Sequence, residues 1–206
     1  MKIPEYPDYD VHRFLADVTE HEMTVLHDDR LYRHVRFQKP GTGFSWFDLI
    51  TWPGNLAFRG DMGGFMFTRI QDMFEFFRGP TINPDYWAEK LPGGRESVKA
   101  YDYVLFKQEV KQDVAEAIRA RQAPAGISRA VRDLFEWGDI TWEHGARCEL
   151  ERFEYEGWRF VDTFEWDFRT YTWQYLWACH AIRWGIERYY QALRALAATE
   201  VKGVAS

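Results

Sequence analysis

Little in this chain announces a chemistry on sight. Among 206 residues there are two cysteines, Cys148 and Cys179, with no CxxC spacing and no ligand cluster around them. That excludes a disulfide scaffold or a Cys-rich zinc site and suits a reducing compartment. No segment approaches the ~20 apolar residues that a spanning helix needs, and the start, MKIPEYPDYD, has no basic stretch followed by an apolar run. The expectation is a cytoplasmic protein with no membrane partner. Charge of one sign is also missing: 26 Lys+Arg stand against 32 Asp+Glu, a net charge of −6. Direct duplex-DNA binding is not expected, because phosphate neutralisation needs a concentrated basic surface. There is no GxSxG elbow, no HExxH, no GxGxxG and no P-loop. His21 and His27 with Asp28 or Asp29 form no recognised ligand pattern. No metal and no cofactor are therefore expected.

What the chain does have is apolar and aromatic bulk. Hydrophobic residues make up 46% and aromatics 18%, including 10 Trp, 11 Tyr and 16 Phe. A chain of this length buries roughly 70% of its unfolded surface, enough for a core without metal or disulfide. The reading is one α+β domain spanning residues 1–206, with a candidate internal linker at 122–126, Gln-Ala-Pro-Ala-Gly.

Periodicity organises the chain. Val11, Phe14, Leu15 and Val18 predict a short opening helix, with Asp10 as its cap. From Glu22 to Arg69 the period becomes two, broken at Asp28-Asp29, at 39–43, at Pro53-Gly54-Asn55 and at 61–64. This predicts an antiparallel meander of about five strands, at 22–27, 31–38, 44–52, 56–60 and 65–69. Ile70 to Phe77 reads as a short helix ending at Gly79-Pro80, and 98–121 as a broadly helical stretch. Asp162 and Glu165 have capping-box spacing, and no proline follows to Leu196. One long helix is expected over 164–196, packed against the meander. Its Trp166, Trp173, Trp177, His180 and Trp184 would share a face lining either a pocket or the core.

Three groups could carry function. In the meander, alternation sets His34 with Arg36, Asp48 with Trp46 and Trp52, and Arg59 with Asp61. If these sides coincide, they form a patch able to hold an anionic or nucleobase-containing ligand, Arg on phosphate and Trp46 or Trp52 on a base. An ion-pair network on a wet sheet face is the alternative. In the long helix, Trp177 and His180 could build an aromatic cage or simply fill the core. The carboxylates of 149–167 could act as acid and base, but interleaved Arg147, Arg152, Arg159 and Arg169 suggest surface pairing. The turn Arg59-Gly60-Asp61-Met62-Gly63-Gly64 lacks a P-loop's Lys-Ser/Thr and reads as a hairpin.

The strings Phe47-Asp48-Leu49-Ile50-Thr51-Trp52-Pro53-Gly54, Arg59-Gly60-Asp61-Met62-Gly63 and Asp72-Met73-Phe74-Glu75-Phe76-Phe77, with the later Glu165-Trp166-Asp167-Phe168 and Trp184-Gly185-Ile186, resemble a family of small accessory proteins of tailed bacteriophages and prophages. The resemblance covers roughly 21–77 and 160–190 and carries no catalytic residue. It implies action inside a bacterial host cell. The resulting expectation is a non-enzymatic binder that counteracts host defence, an anti-CRISPR-like inhibitor of a defence complex or a nucleotide-signal sponge. The alternative is an enzyme acting on a nucleotide or nucleic acid through Asp48, Asp61 and His34. The oligomeric state is left open.

Overall fold

A computed structural model describes residues 11–79 and 81–204, with side chains to residue 199. The expected Asp10 cap and Pro80 stop lie outside the described residues. The chain divides into two compact units, one of residues 1–98 with 171–206, the other of 99–170. The fold is α+β.

In the first unit, α1 (Val11–Val18) precedes β1 (Glu22–Asp29), β2 (Tyr32–Gln38), β3 (Phe47–Trp52), β4 (Asn55–Gly60) and β5 (Gly63–Thr68), an antiparallel sheet in sequential order. Two short helices follow, α2 (Met73–Phe77) and α3 (Pro84–Ala88). Strand alternation decides the two faces. Val35, Phe37, Phe47, Leu49, Leu56, Phe58 and Phe67 point into the core, while His34, Arg36, Asp48, Ile50, Ala57 and Arg59 take the opposite face.

The inner face is covered by the long C-terminal helix, Trp173–Val204. Gly185 marks where helix and sheet come closest: a Cβ there would meet Leu49 Cδ1 and Phe37 Cε2 at 2.9 Å. Around it Phe37 stacks on Phe47 with centroids 4.8 Å apart, and Trp177 meets Phe47 edge-on at 5.6 Å. Each such side chain, fully buried, contributes about 1.5–3 kcal/mol. Polar tips then fix the helix's rotation. Trp177 Nε1 donates to Asp17 at 2.9 Å, Tyr175 to the Pro84 carbonyl at 2.7 Å, Tyr189 to Asp28 at 2.8 Å, and Tyr190 to Glu75 at 2.9 Å.

A buried ion pair completes this core. Arg33 forks onto Asp72 at 2.8 and 2.9 Å, and its guanidinium lies 4.9 Å from the Phe74 ring. Asp72 also caps α2 by accepting the Phe74 N–H at 3.0 Å. Burial acts to raise the Asp72 pKa, but the bonds from Arg33 and the helix amides outweigh it and hold the carboxyl below its usual range.

The second unit contains β6 (Lys99–Tyr101), α4 (Tyr103–Arg119), α5 (Ile127–Trp137), α6 (Glu143–Arg152) and a 3₁₀ turn at Thr163–Glu165. β7 (Arg169–Tyr171) pairs with β6, and the chain then enters α7, the long helix of the first unit. Phe106, Val110, Val131, Leu134, Leu150 and Phe168 fill this unit's core. The 122–126 stretch joins α4 to α5 within it.

Two expectations are corrected here. Residues 99–101 are strand, and α4 starts only after Asp102, whose carboxylate accepts from Val104 N at 2.7 Å and Leu105 N at 3.2 Å. The long helix begins at Trp173 rather than near Phe164. Asp162 is left-handed, φ 56°, and its side chain makes no cap bond. Asp167 instead accepts the Arg169 N–H at 3.0 Å, a local closure that competes with helix and turns the chain into β7. Trp166 and Phe168 therefore belong to the second unit and drop out of the helical stripe.

Gly185→Val inserts two methyls and a Cβ against Phe37 and Leu49. We expect a loss of about 1–3 kcal/mol, read as a lowered urea midpoint, with the helical circular dichroism of the folded protein retained.

Candidate ligand-binding cleft

Register puts a short carboxylate between two long cations. Arg36 on β2, Asp48 on β3 and Arg59 on β4 face one another directly, where opposed Cβ atoms stand about 4.5–5.5 Å apart. The consequence is seen in the side chains. Arg36 forks onto Asp48, Nε to Oδ1 at 2.7 Å and Nη2 to Oδ2 at 2.9 Å, and Arg59 Nε lies 3.7 Å from Oδ2. His34 brings Nε2 to 3.1 Å of the same oxygen. The Asp48 side chain has no solvent exposure at all, whereas Arg36, His34 and Arg59 are 36%, 31% and 58% exposed.

Burial pushes the Asp48 pKa up, but the contacts with Arg36 and His34 outweigh it, and the carboxyl sits below its usual range. Asp48 is thus an anchored anion. One negative charge against two guanidiniums leaves the group with a positive excess.

Trp46, just before β3, roofs this group. The Arg36 and Arg59 guanidinium carbons lie 5.2 and 5.3 Å from its ring centre, within cation–π range. Three contacts hold the Trp46 backbone in place. Its carbonyl accepts the Asp61 N–H at 3.0 Å, the Asp61 carboxylate accepts the Ser45 N–H at 3.0 Å, and His21 Nε2 meets the Ser45 carbonyl at 2.9 Å. Gly60 is required at this crossing. A Cβ on it would collide with the Trp46 carbonyl and lie 2.8 Å from Phe47 Cα.

Above the guanidiniums lies an open cleft of about 350 Å³ lined by Arg36, Gln38, Thr42, Gly43, Trp46 and Arg59. No carboxylate lines it, because Asp48 is beneath the arginines. Among the described residues nothing bonds Arg36 Nη1 or the two terminal nitrogens of Arg59, which leaves them to a ligand. The surface offered is an indole face beside an array of charged donors.

His34, Arg36, Asp48 and Arg59 are therefore brought together as one group, while the other expected residues lie elsewhere. Trp52 is on the same sheet face but four residues along β3 from Asp48, about 13 Å at strand rise; Trp46 is the indole of the cleft. Asp61 sits in the β4–β5 turn and serves the Trp46 backbone. Trp177 is fully buried in the first unit's core, the second of the two roles its helix face allows. His180 stacks on Phe14 at 5.7 Å, and burial lowers its pKa. Of the acidic stretch 149–167, Glu154 pairs with Arg159 and Asp167 with Lys99. The cleft residues not anticipated are Gln38, Thr42 and Gly43. Gln38 could have been found from its parity with Arg36, but the loop residues carry no such signal.

The lowered pKa values of Asp48 and Asp72 carry a sign. Each contributes stability above the unfolded carboxylate value of about 3.9, and that contribution is lost as pH falls through the lower folded value. The urea midpoint should fall steeply on acidification below that value. Asp48→Asn should cost about 1–2 kcal/mol at neutral pH, since Arg36 loses its anion but stays partly hydrated, and should flatten the acid dependence, as urea titrations at neutral and acid pH would show.

No family model, curated protein or solved structure matches this chain. Its function is to be argued from the chemistry of the cleft.

Proposed function

We propose that the protein is a non-enzymatic binder of a planar anion of the nucleotide class, held in the cleft above Asp48. The observation that supports this most directly is the pair of guanidiniums flanking Trp46 over a carboxylate they already neutralise. A phosphate would take the outward N–H donors of Arg59 and Arg36 as charge-assisted hydrogen bonds. A base would stack on Trp46, an interaction worth about 1–3 kcal/mol. Taken with the resemblance to phage accessory proteins, the reading is a nucleotide-signal sponge that counteracts host defence in the bacterial cytoplasm.

The enzymatic alternative has less behind it. A general base must be free to take a proton. Asp48 is locked by Arg36, and Asp61 is engaged with Ser45. Binding needs neither to be released. Occlusion of a defence protein complex would use the same Trp46 and Arg59 as interface anchors, but two guanidiniums on one indole match the phosphate and base of a small ligand.

The test is native mass spectrometry of protein purified from bacteria, followed by calorimetry with mononucleotides and cyclic dinucleotides. A released nucleotide, or binding weakened roughly tenfold by Arg59→Ala and about as strongly by Trp46→Ala, is expected. Arg59 is more than half exposed and its removal leaves the Arg36–Asp48 fork intact, so that variant folds. An unliganded mass together with no heat from any nucleotide would overturn the reading.

A further inference from the structure

The second unit carries a surface feature independent of the cleft. Helices α4 and α5 present one face each to an open groove of about 360 Å³. From α4 come Lys111, Val114, Ala115 and Ile118, and from α5 Ser128, Val131, Arg132 and Phe135. On both helices the spacing is three, four and seven residues, which is the contact set of a helix facing a third helix. Val114 and Val131 belong also to the unit's core, with Phe106, Val110, Ile127 and Leu134, and the other lining residues flank that core.

The floor is apolar and open: Ile118 is 46% exposed, and Phe135 is half-buried. The rim is cationic. Lys107 and Lys111 bring their ammonium groups to 5.6 and 5.8 Å from the Phe135 ring centre, and Arg132 stands on the facing helix. No carboxylate lines the groove, and among the described residues none pairs with Lys107, Lys111 or Arg132. In a chain whose net charge is −6, three cations gather around one apolar trough that has no carboxylate in its lining.

We propose that this groove docks an amphipathic helix of a partner protein, with apolar residues on the trough and acidic residues along its flanks. The two-turn run of each wall suits a helical ridge, and the cations set its sign. Apolar burial on Ile118 and Phe135 supplies the affinity, and the rim charges supply selection and encounter rate.

The experiment uses the full-length protein and a fluorescein-labelled synthetic helix of about five turns, leucines at i, i+3, i+4 and i+7 and glutamates on both flanks. A second helix has lysine at every glutamate position. Anisotropy should show binding of the acidic helix and not of the basic one. The double variant Lys111→Glu with Arg132→Glu, both at exposed positions, should weaken the acidic helix roughly tenfold and gain binding of the basic one. Ile118→Asp should abolish binding of the acidic helix while calorimetry at the nucleotide cleft is unchanged, which separates failure here from failure of the proposed function. Equal binding of the two helices, an unaltered preference in the charge-reversed variant, or a dimer in sedimentation that Ile118→Asp dissolves would overturn the proposal, the last by making a second copy the occupant.

Discussion

A carboxylate without solvent exposure in the middle of a sheet is the constraint on which the candidate site depends. Removing a charged Asp from water costs several kcal/mol unless cations and donors replace the lost hydration. Asp48 meets that requirement by register alone, since its two cross-strand neighbours on its own face are Arg36 and Arg59. Once the arginines are committed to it they are held close together, with their remaining donors facing outward. Two guanidiniums would otherwise repel at this separation; the anion below them makes the pair tolerable. The cleft follows from Asp48 being buried.

The placement of the long C-terminal helix determines which sheet face carries this arrangement. Gly185 lets α7 approach Phe37 and Leu49 closely, and the hydroxyls of Tyr175, Tyr189 and Tyr190 fix its rotation over the inner face. Arg33, on the same strand as Arg36 but of opposite parity, is used differently because of this. It points inward and meets Asp72, tying β2 to the cap of α2. Two arginines three residues apart thus make two carboxylate forks on two faces, one closed by aromatic packing and one open to a ligand.

The meander is legible because Gly, Pro and Asp punctuate it and its strands alternate cleanly; parity sets His34 with Arg36 on one strand, and only the cross-strand register brings Asp48 and Arg59 onto that same face. The role of Trp46 was only half legible. It is one of two stacking candidates by sequence, and what selects it over Trp52 is the Gly60 crossing, where the end of β4 meets the residue before β3. The helical stripe was over-read for a different reason: an aromatic at every third or fourth position satisfies a helix period, but the closure of Asp167 onto Arg169 N–H interrupts the helix and no periodicity records it. Helix α6 is hard to read because it is strongly polar on average and buries mainly Gly145, Ala146 and Leu150. Small residues give a weak pattern.

Net charge was the least transferable of the sequence quantities. A value of −6 argues against a polyanion partner only if charge is spread evenly, and here it is not. In the first unit Asp48 and Asp72 are taken up by arginines, Asp72 also by a helix cap, and Asp28 and Glu75 by tyrosine hydroxyls; in the second, Glu143 and Glu154 pair with local cations. Two local patches carry the sign opposite to the chain total: two guanidiniums beside Trp46, and three cations around the trough of α4 and α5. At physiological ionic strength a ligand senses charge within about 8 Å, so these patches, rather than the chain total, decide what it meets. An acidic protein can therefore present two anion-selective surfaces, one shaped for a planar ring and the other for an apolar helix.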